Sequence, residues 1–177
     1  MPGASKRLVI DTDVARAAGG EEAVHPTSKN CRDFLLALRE TSHRLVLTPE
    51  ISAEWKRHQP RFSRAWLVSM FAQRRVLRVE IETRLDLRQR IEDVTDVSKK
   101  QAVLKDSHLI EAALVTDRIV ISKDEVVRAI LKAACQNVGE IRIIVWVNPD
   151  RAEEAPIPWL RDGAPDERQR QLGYVEE

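Results

Sequence analysis

Short apolar runs alternate with longer segments of helical periodicity along this chain of 177 residues. The runs are short and rich in β-branched side chains, as buried strands are. The predicted strands are residues 7–11, 44–48, 119–122 and 141–147, with a further short extended piece at 76–81. Strands that alternate with helices are joined by right-handed crossovers, which produce a parallel sheet covered on both faces. We therefore expect an α/β fold with a central, mainly parallel sheet.

The segments between these strands have apolar residues at helical spacing. The predicted helices follow Thr27-Ser28, begin at Pro49, and cover residues 62–73, 85–92, 99–114 and 125–136. In the last of these, the residues predicted to point inward are Val126, Val127, Ile130, Leu131 and Ala134. The stretch after Asp13, through Gly19-Gly20 to Pro26, is predicted to be a loop, because glycine and proline interrupt regular structure.

The length of the chain suits a single domain with its own hydrophobic core. We assign the predicted domain to residues 1–149. Residues 150–177 have eight acidic and four basic residues together with several prolines. This composition predicts a charged C-terminal tail, for which two alternatives stay open: a loose segment, or an arm lying along the surface.

No apolar run approaches the length that a membrane span needs. The residues before the first strand contain no long apolar segment of the kind that export signals have, so we expect a cytoplasmic protein without a membrane partner. The two cysteines, Cys31 and Cys135, have no CxxC spacing. Neither a disulfide framework nor a zinc site is therefore predicted.

Four acidic residues stand where the pattern changes from one element to the next. Asp11 ends the first apolar run, and Asp124 follows the run Ile119-Val120-Ile121. Glu54 lies in the second turn of the helix that begins at Pro49. Asp106 is predicted to share a helical face with apolar side chains. In parallel sheets the ligand crevice lies at the carboxyl ends of the strands, so these four carboxyl groups predict a site for a divalent metal.

Each acid also has an ordinary structural interpretation. Asp11 and Asp124 are suited to cap a turn or a helix. Glu54 by itself resembles a surface helix residue, and Asp106 is equally consistent with the rim of an apolar face. We favour a functional site, because without one four separate structural explanations would all have to be correct in the same α/β pattern.

The set of motifs resembles the PIN domain family across roughly residues 7–147. The resemblance is carried by Leu8-Val9-Ile10-Asp11-Thr12-Asp13, by Val46-Leu47-Thr48-Pro49 with Glu54, by Asp106 with Leu109 and Ala112-Ala113, and by Ile119-Val120-Ile121-Ser122 with Asp124. It implies a three-layer α/β/α sandwich and metal-dependent ribonuclease activity with Asp11, Glu54, Asp106 and Asp124 as the catalytic acids. The chain departs from the family at Asp13, where asparagine is usual, and at Ser122, where threonine is more frequent.

Crowded carboxylates repel one another unless cations neutralise them, and Mg²⁺ or Mn²⁺ prefers such oxygen ligands. We expect Asp11 and Asp124 to be direct ligands, and Asp106 to bind directly or through water. Glu54 would bind a second metal or orient the attacking water, although Glu50, one turn earlier, stays an alternative to it. The auxiliary residues are Asp13 and Ser122, and the histidines His58 and His108 are interpreted as structural or surface residues.

A basic segment follows Glu54 directly. From Lys56 to Arg78 there are seven lysine or arginine residues and no acidic residue. We predict contacts to single-stranded RNA for four of these side chains, namely Lys56, Arg57, Arg61 and Arg64, and a solvated helical face stays an alternative for them. The interleaved aromatic side chains are more simply explained as core residues, because their spacing is helical.

The predicted function is therefore cleavage of RNA by a Mg²⁺- or Mn²⁺-dependent endoribonuclease. Two roles remain open within that class: a toxin of a toxin–antitoxin pair, with an antitoxin or other protein partner, and an enzyme of RNA processing or decay. A homodimer is compatible with either role. A non-catalytic module that binds RNA or protein is an alternative, but it would not need all four acids. A small-molecule enzyme is disfavoured because no glycine-rich phosphate loop follows a strand.

Overall fold

A computed structural model of the chain describes residues 4–19 and 24–176. Its centre is one sheet of five parallel strands in the order β3-β2-β1-β4-β5. The strands are β1 (Arg7–Ile10), β2 (Arg44–Leu47), β3 (Val76–Arg78), β4 (Ile119–Ile121) and β5 (Val145–Val147). The predicted parallel sheet is confirmed.

Nine α-helices lie within the described residues. They are α1 (Thr12–Ala17), α2 (Pro26–Glu40), α3 (Pro49–His58), α4 (Arg61–Ala72), α5 (Leu85–Asp93), α6 (Lys100–Lys105), α7 (Ser107–Leu114), α8 (Glu125–Ala134) and α9 (Pro156–Arg161). Together with the sheet they form the predicted three-layer α/β/α sandwich. Across residues 4–19 and 24–176, none of the helices combines the length and the apolar character needed to cross a membrane.

Trp55 attaches helix α3 to the sheet and stacks on Trp66 of α4. Trp55 and Trp66 are buried and stack with their ring centroids 5.8 Å apart. The indole N–H of Trp55 donates to the carbonyl of Ile10 at the end of β1, over 3.2 Å. Because a buried indole needs such an acceptor, this contact fixes α3 beside the end of β1. The interpretation of the interleaved aromatic side chains as core residues is confirmed for Trp55 and Trp66, and it is wrong for Phe71, which is 38% exposed.

The single helix predicted over residues 99–114 is wrong. The structure has two helices, α6 and α7, separated at Asp106, whose backbone angles are φ −101° and ψ 5°. The shared helical face predicted for Asp106 therefore does not exist, and this residue lies at the junction of the two helices. No glycine or proline marks the break, so the periodic pattern runs through it unchanged.

Three further sequence predictions differ from the structure. The predicted loop after Asp13 begins instead with helix α1, and residues 20–23 of that loop lie outside the described residues. The strand predicted over residues 141–147 starts only at Val145, because a 3-10 turn occupies Gly139–Ile141. Val126, predicted to point inward, is 60% exposed.

The C-terminal segment is packed against the domain. Trp159, Leu160 and Leu172 are buried, and α9 packs on α2. Gln171 forms an antiparallel bridge to Val145, so the segment covers the outer edge of β5. Of the two alternatives that the sequence left open, the structure shows the packed arm.

We predict that Leu160→Ala lowers the free energy of unfolding by about 2–5 kcal/mol, since removing a fully buried leucine leaves a cavity. Leu85→Ala is the matched control: Leu85 is 74% exposed, and its truncation should cost less than about 0.5 kcal/mol. Urea denaturation of the full chain measures both. Equal, small losses for the two variants would contradict the packing of the C-terminal segment.

Candidate functional site

The strand order reverses between β1 and β4, which are neighbours in the sheet although they are distant in the sequence. At such a switch point the connections leave in opposite directions, and a crevice opens beyond the carboxyl ends of the two strands. The backbone N–H of Asp11 still pairs with the carbonyl of Ile121 over 2.9 Å. Asp11 therefore stands at the edge of the crevice, one residue past β1.

Asp11 is held rigidly by both of its carboxylate oxygens. The residue is 7% exposed and is the N-cap of α1. One oxygen accepts the backbone N–H of Asp13 over 3.2 Å, and the other accepts the buried hydroxyl of Ser122 over 2.7 Å. The orientation of this carboxylate is thus set by groups from β1, α1 and the end of β4.

Ser122 connects the acids that follow the two strands. Its hydroxyl donates to Asp11 and accepts the backbone N–H of Asp124 over 3.1 Å. Asp124 in turn caps α8 by accepting the N–H of Val127 over 2.8 Å. Asp13 accepts the N–H of Lys123 over 3.1 Å. Ser122 and Asp13, the two residues predicted to be auxiliary, therefore link the start of α1 to the segment between β4 and α8.

Glu54 reaches the same crevice from α3. Thr48 caps this helix through the N–H of Ile51, and Pro49 occupies its first turn, where a missing N–H is tolerated. The carboxylate of Glu54 is 3.4 Å from the hydroxyl of Thr12. Glu50, the alternative glutamate, lines a neighbouring cavity instead.

All four predicted catalytic acids line one cleft of about 190 Å³. Its walls are formed by Asp11, Thr12, Asp13, Arg16, Glu54, Arg57, His58, Lys105, Asp106 and Asp124. The break between α6 and α7 brings Asp106 to this wall. The structure thus gathers acids from four separate parts of the chain at the switch point of the sheet.

The crowding of these acids raises several of their pKa values. Burial, followed by the charges of Glu54 and Asp124, raises the pKa of Asp11 above its ordinary value. Burial and the charge of Asp11 raise the pKa of Asp13 to about 7. Burial and the charges of Asp11 and Asp124 raise the pKa of Asp106 to about 7. The folded protein therefore resists full ionisation of the cluster near neutral pH.

The donor set suits a hard divalent cation in its chemistry, since it consists of carboxylate oxygens that repel one another in their ionised form. Within residues 4–19 and 24–176, however, no three acidic, histidine or cysteine side chains already stand at metal-ligand spacing. Carboxylates of Asp106, Asp124 and Glu54 are partly exposed, so they have room to adjust their side-chain torsions. The cluster fits a cation that draws these groups together.

His108 is a residue whose position the sequence did not predict. It is 5% exposed and lies on α7, with Nε2 3.3 Å from a carboxylate oxygen of Glu54. The only signal in the sequence was its position two residues after Asp106. Its placement depends on how α7 packs against α3, which helical spacing does not reveal.

Of the four predicted RNA contacts, only Arg57 lines the cleft. Lys56, Arg61 and Arg64 are exposed on α3 and α4. The structure adds Arg16 and Lys105 to the rim. Arg16 was missed because α1 was predicted to be a loop, so no face could be assigned to it.

Comparison with known proteins gives no independent assignment. No family model matches the chain, and no curated protein matches it either.

We predict that Asp106→Asn stabilises the protein without divalent cations at pH 8 by about 1 kcal/mol or more, because it removes a charge that the folded state disfavours. Because the pKa of Asp106 is raised, the folded protein still holds the Asp106 proton at pH values where the unfolded chain has lost it. The contribution of Asp106 to the unfolding free energy therefore falls as pH rises from about 3.8 to about 7. Urea unfolding in EDTA at pH 4 and pH 8 measures the effect.

The control for that measurement is Asp96→Asn, which replaces an acid whose side chain is 80% exposed. It should change stability little at either pH. A gain of equal size at pH 4 and pH 8 for Asp106→Asn would contradict the electrostatic explanation.

Proposed function

We propose that this chain is a PIN-like, metal-dependent endoribonuclease that hydrolyses phosphodiester bonds of single-stranded RNA. The observation that carries the proposal is the convergence of Asp11, Glu54, Asp106 and Asp124 on one cleft at the switch point between β1 and β4. Such a cluster raises its own pKa values and has a high electrostatic cost, which a bound cation offsets. Helix capping accounts for Asp11 and Asp124, but it gives no reason for Glu54 and Asp106 to line the same cleft.

Mg²⁺ or Mn²⁺, when bound, supplies an acidified water and neutralises charge on the phosphate. Asp11 and Asp124 would hold it, because hydrogen bonds with Ser122 and the α8 N-terminus fix both carboxyl groups. Asp106, which lines the same cleft, would complete the ligand set. Glu54 stands beside them and would orient the attacking water through its free carboxylate oxygen.

The sandwich architecture supports the PIN-like part of the proposal, since it is the fold that the sequence resemblance implies. The acids of the resemblance also occupy one cleft. Ser122 keeps a hydroxyl at its position, where it bonds Asp11. Toxin and RNA-processing roles would use the same chemistry, so the proposal covers both.

Cationic side chains around the acids support a polyanionic substrate. Arg16, Arg57 and Lys105 come from three different helices and line the same cleft as the four acids. Acids at the floor would repel RNA without such a rim, because each phosphate carries a negative charge. The exposed Lys56, Arg61 and Arg64 extend the positive surface along α3 and α4.

We predict that Asp11→Asn lowers kcat/KM for RNA cleavage by about 100-fold or more, since loss of partners outside the ligand shell already costs about 10–100-fold. Asparagine is also a good N-cap, so the fold should persist. An RNA cleavage assay with Mg²⁺ or Mn²⁺ compares this variant with wild type and with Asp96→Asn. Undiminished metal-dependent cleavage by Asp11→Asn would sink the proposed site, and inactivity of wild type with every RNA tested would favour the non-catalytic alternative.

We predict that Arg57→Gln weakens RNA binding and lowers the slope of log affinity against log salt by about 1, the effect of losing one phosphate contact. Arg168→Gln, in the C-terminal segment, is the control and should leave both quantities unchanged. Binding is measured in the Asp11→Asn background, where RNA stays intact. Equal salt slopes for the two variants would show that Arg57 does not contact an RNA phosphate.

A further inference from the structure

The imidazole of His108 is buried and has one nitrogen without a hydrogen-bond partner. Nδ1 lies 3.0 Å from the backbone carbonyl of Lys105. A carbonyl only accepts hydrogen bonds, so Nδ1 carries a proton and donates it. In the neutral ring the lone pair is then on Nε2. This is the arrangement that protein histidines have as metal ligands, with the second nitrogen held by a carbonyl.

Nε2 of His108 faces Glu54 without forming a hydrogen bond. It has no hydrogen-bond partner among the residues that the structure describes, although Oε2 of Glu54 is only 3.3 Å away. The distance is short enough for a hydrogen bond, so it is the alignment that fails. A buried nitrogen is rarely left in this condition, which calls for a partner that the protein chain does not provide.

A shared cation accounts for both the distance and the misalignment. A metal about 2.0–2.2 Å from two neighbouring ligand atoms holds them about 3.0 Å apart in an octahedral shell and about 3.4 Å apart in a tetrahedral one. The observed 3.3 Å falls between these values. Two such ligands point at the metal and not at each other, so their direct contact is necessarily off the line of a hydrogen bond.

We infer that His108 Nε2 and Glu54 Oε2 form a mixed nitrogen–oxygen ligand pair for a divalent transition-metal ion. Imidazole favours such ions over Mg²⁺, which prefers oxygen ligands only. Glu54 lines the cleft of Asp11, Asp106 and Asp124, whereas His108 lines the cavity beside it. Water and a phosphate oxygen of the RNA would take the remaining coordination positions of the ion. This part of the inference rests on the proposed function.

The test uses the full chain and Mn²⁺ alone as the probe. Pulsed electron paramagnetic resonance of bound Mn²⁺ detects coupling to a ¹⁴N nucleus when an imidazole is a ligand. We expect this coupling in wild type and in the control His58→Asn, which changes the histidine that lines the acidic cleft. It should be absent in His108→Asn, whose amide can still donate to the Lys105 carbonyl.

We also expect His108→Asn to weaken Mn²⁺ binding by about tenfold or more, with a change of less than about twofold for Mg²⁺, measured by calorimetry. Circular dichroism and thermal unfolding verify that the variant folds. Should it fail to fold, Glu54→Gln tests the same pair, and the same selective loss of Mn²⁺ affinity is expected.

Bound Mn²⁺ without ¹⁴N coupling in wild type overturns the inference, and so does coupling that persists in His108→Asn. The first result would leave a site with oxygen ligands only, and the second would mean that a nitrogen other than His108 Nε2 binds the ion. Absence of Mn²⁺ binding overturns it as well. RNA cleavage is assayed separately. Cleavage with Mg²⁺ but without nitrogen coupling would support the proposed function and contradict the ligand pair. Nitrogen coupling without RNA cleavage would support the ligand pair and contradict the proposed function.

Discussion

The buried carboxylate of Asp11 is the constraint around which the cleft is arranged. It is 7% exposed, so it requires hydrogen bonds, and it obtains them from the Ser122 hydroxyl and the Asp13 backbone. Those bonds join the ends of β1 and β4 at the position where the sheet changes direction. The contact from Trp55 to the carbonyl of Ile10 then sets α3, and with it Glu54, beside the same strand end. Bonds at the end of β1, made by Ile10 and Asp11, thus position three of the four acids, namely Asp11, Asp124 and Glu54.

The clustered carboxylates of the cleft destabilise the folded state, and packing elsewhere in the domain must offset this loss of stability. Asp13 and Asp106 have pKa values raised to about 7, and Asp11 is raised as well. The apolar strands, the stacked tryptophans and the buried part of the C-terminal segment provide the stability that allows such a cluster to persist. The proposed nuclease depends on this repulsion among the carboxylates, because a divalent cation binds most favourably where like charges are already held together. A site of this kind is destabilising without its cation and stabilising with it.

The strands could be predicted because strands buried on both faces appear as short, continuous apolar runs between turn signals. Helices α3, α4, α5 and α8 followed from spacing and from Pro49 in the first turn of α3. Helix α1 was missed because six residues are too few for a periodic signal. The junction at Asp106 was missed because the apolar spacing continues across it. Helix α9 was not predicted, because the prolines and charges of the C-terminal segment are typical of irregular structure. Pro156 nevertheless lies in the first turn of α9, where proline is tolerated.

By itself the sequence determined the layer architecture and three of the acid positions, since an acid that follows a strand or a helix cap occupies a place fixed by local backbone geometry. Only the tertiary structure decided which side chains share the cleft. It brought Asp106 there through a helix junction, placed Arg16 and Lys105 at the rim, and set His108 against Glu54. The physical reason is that spacing along one helix fixes which residues share a face, whereas a meeting between helices depends on how both pack on the sheet.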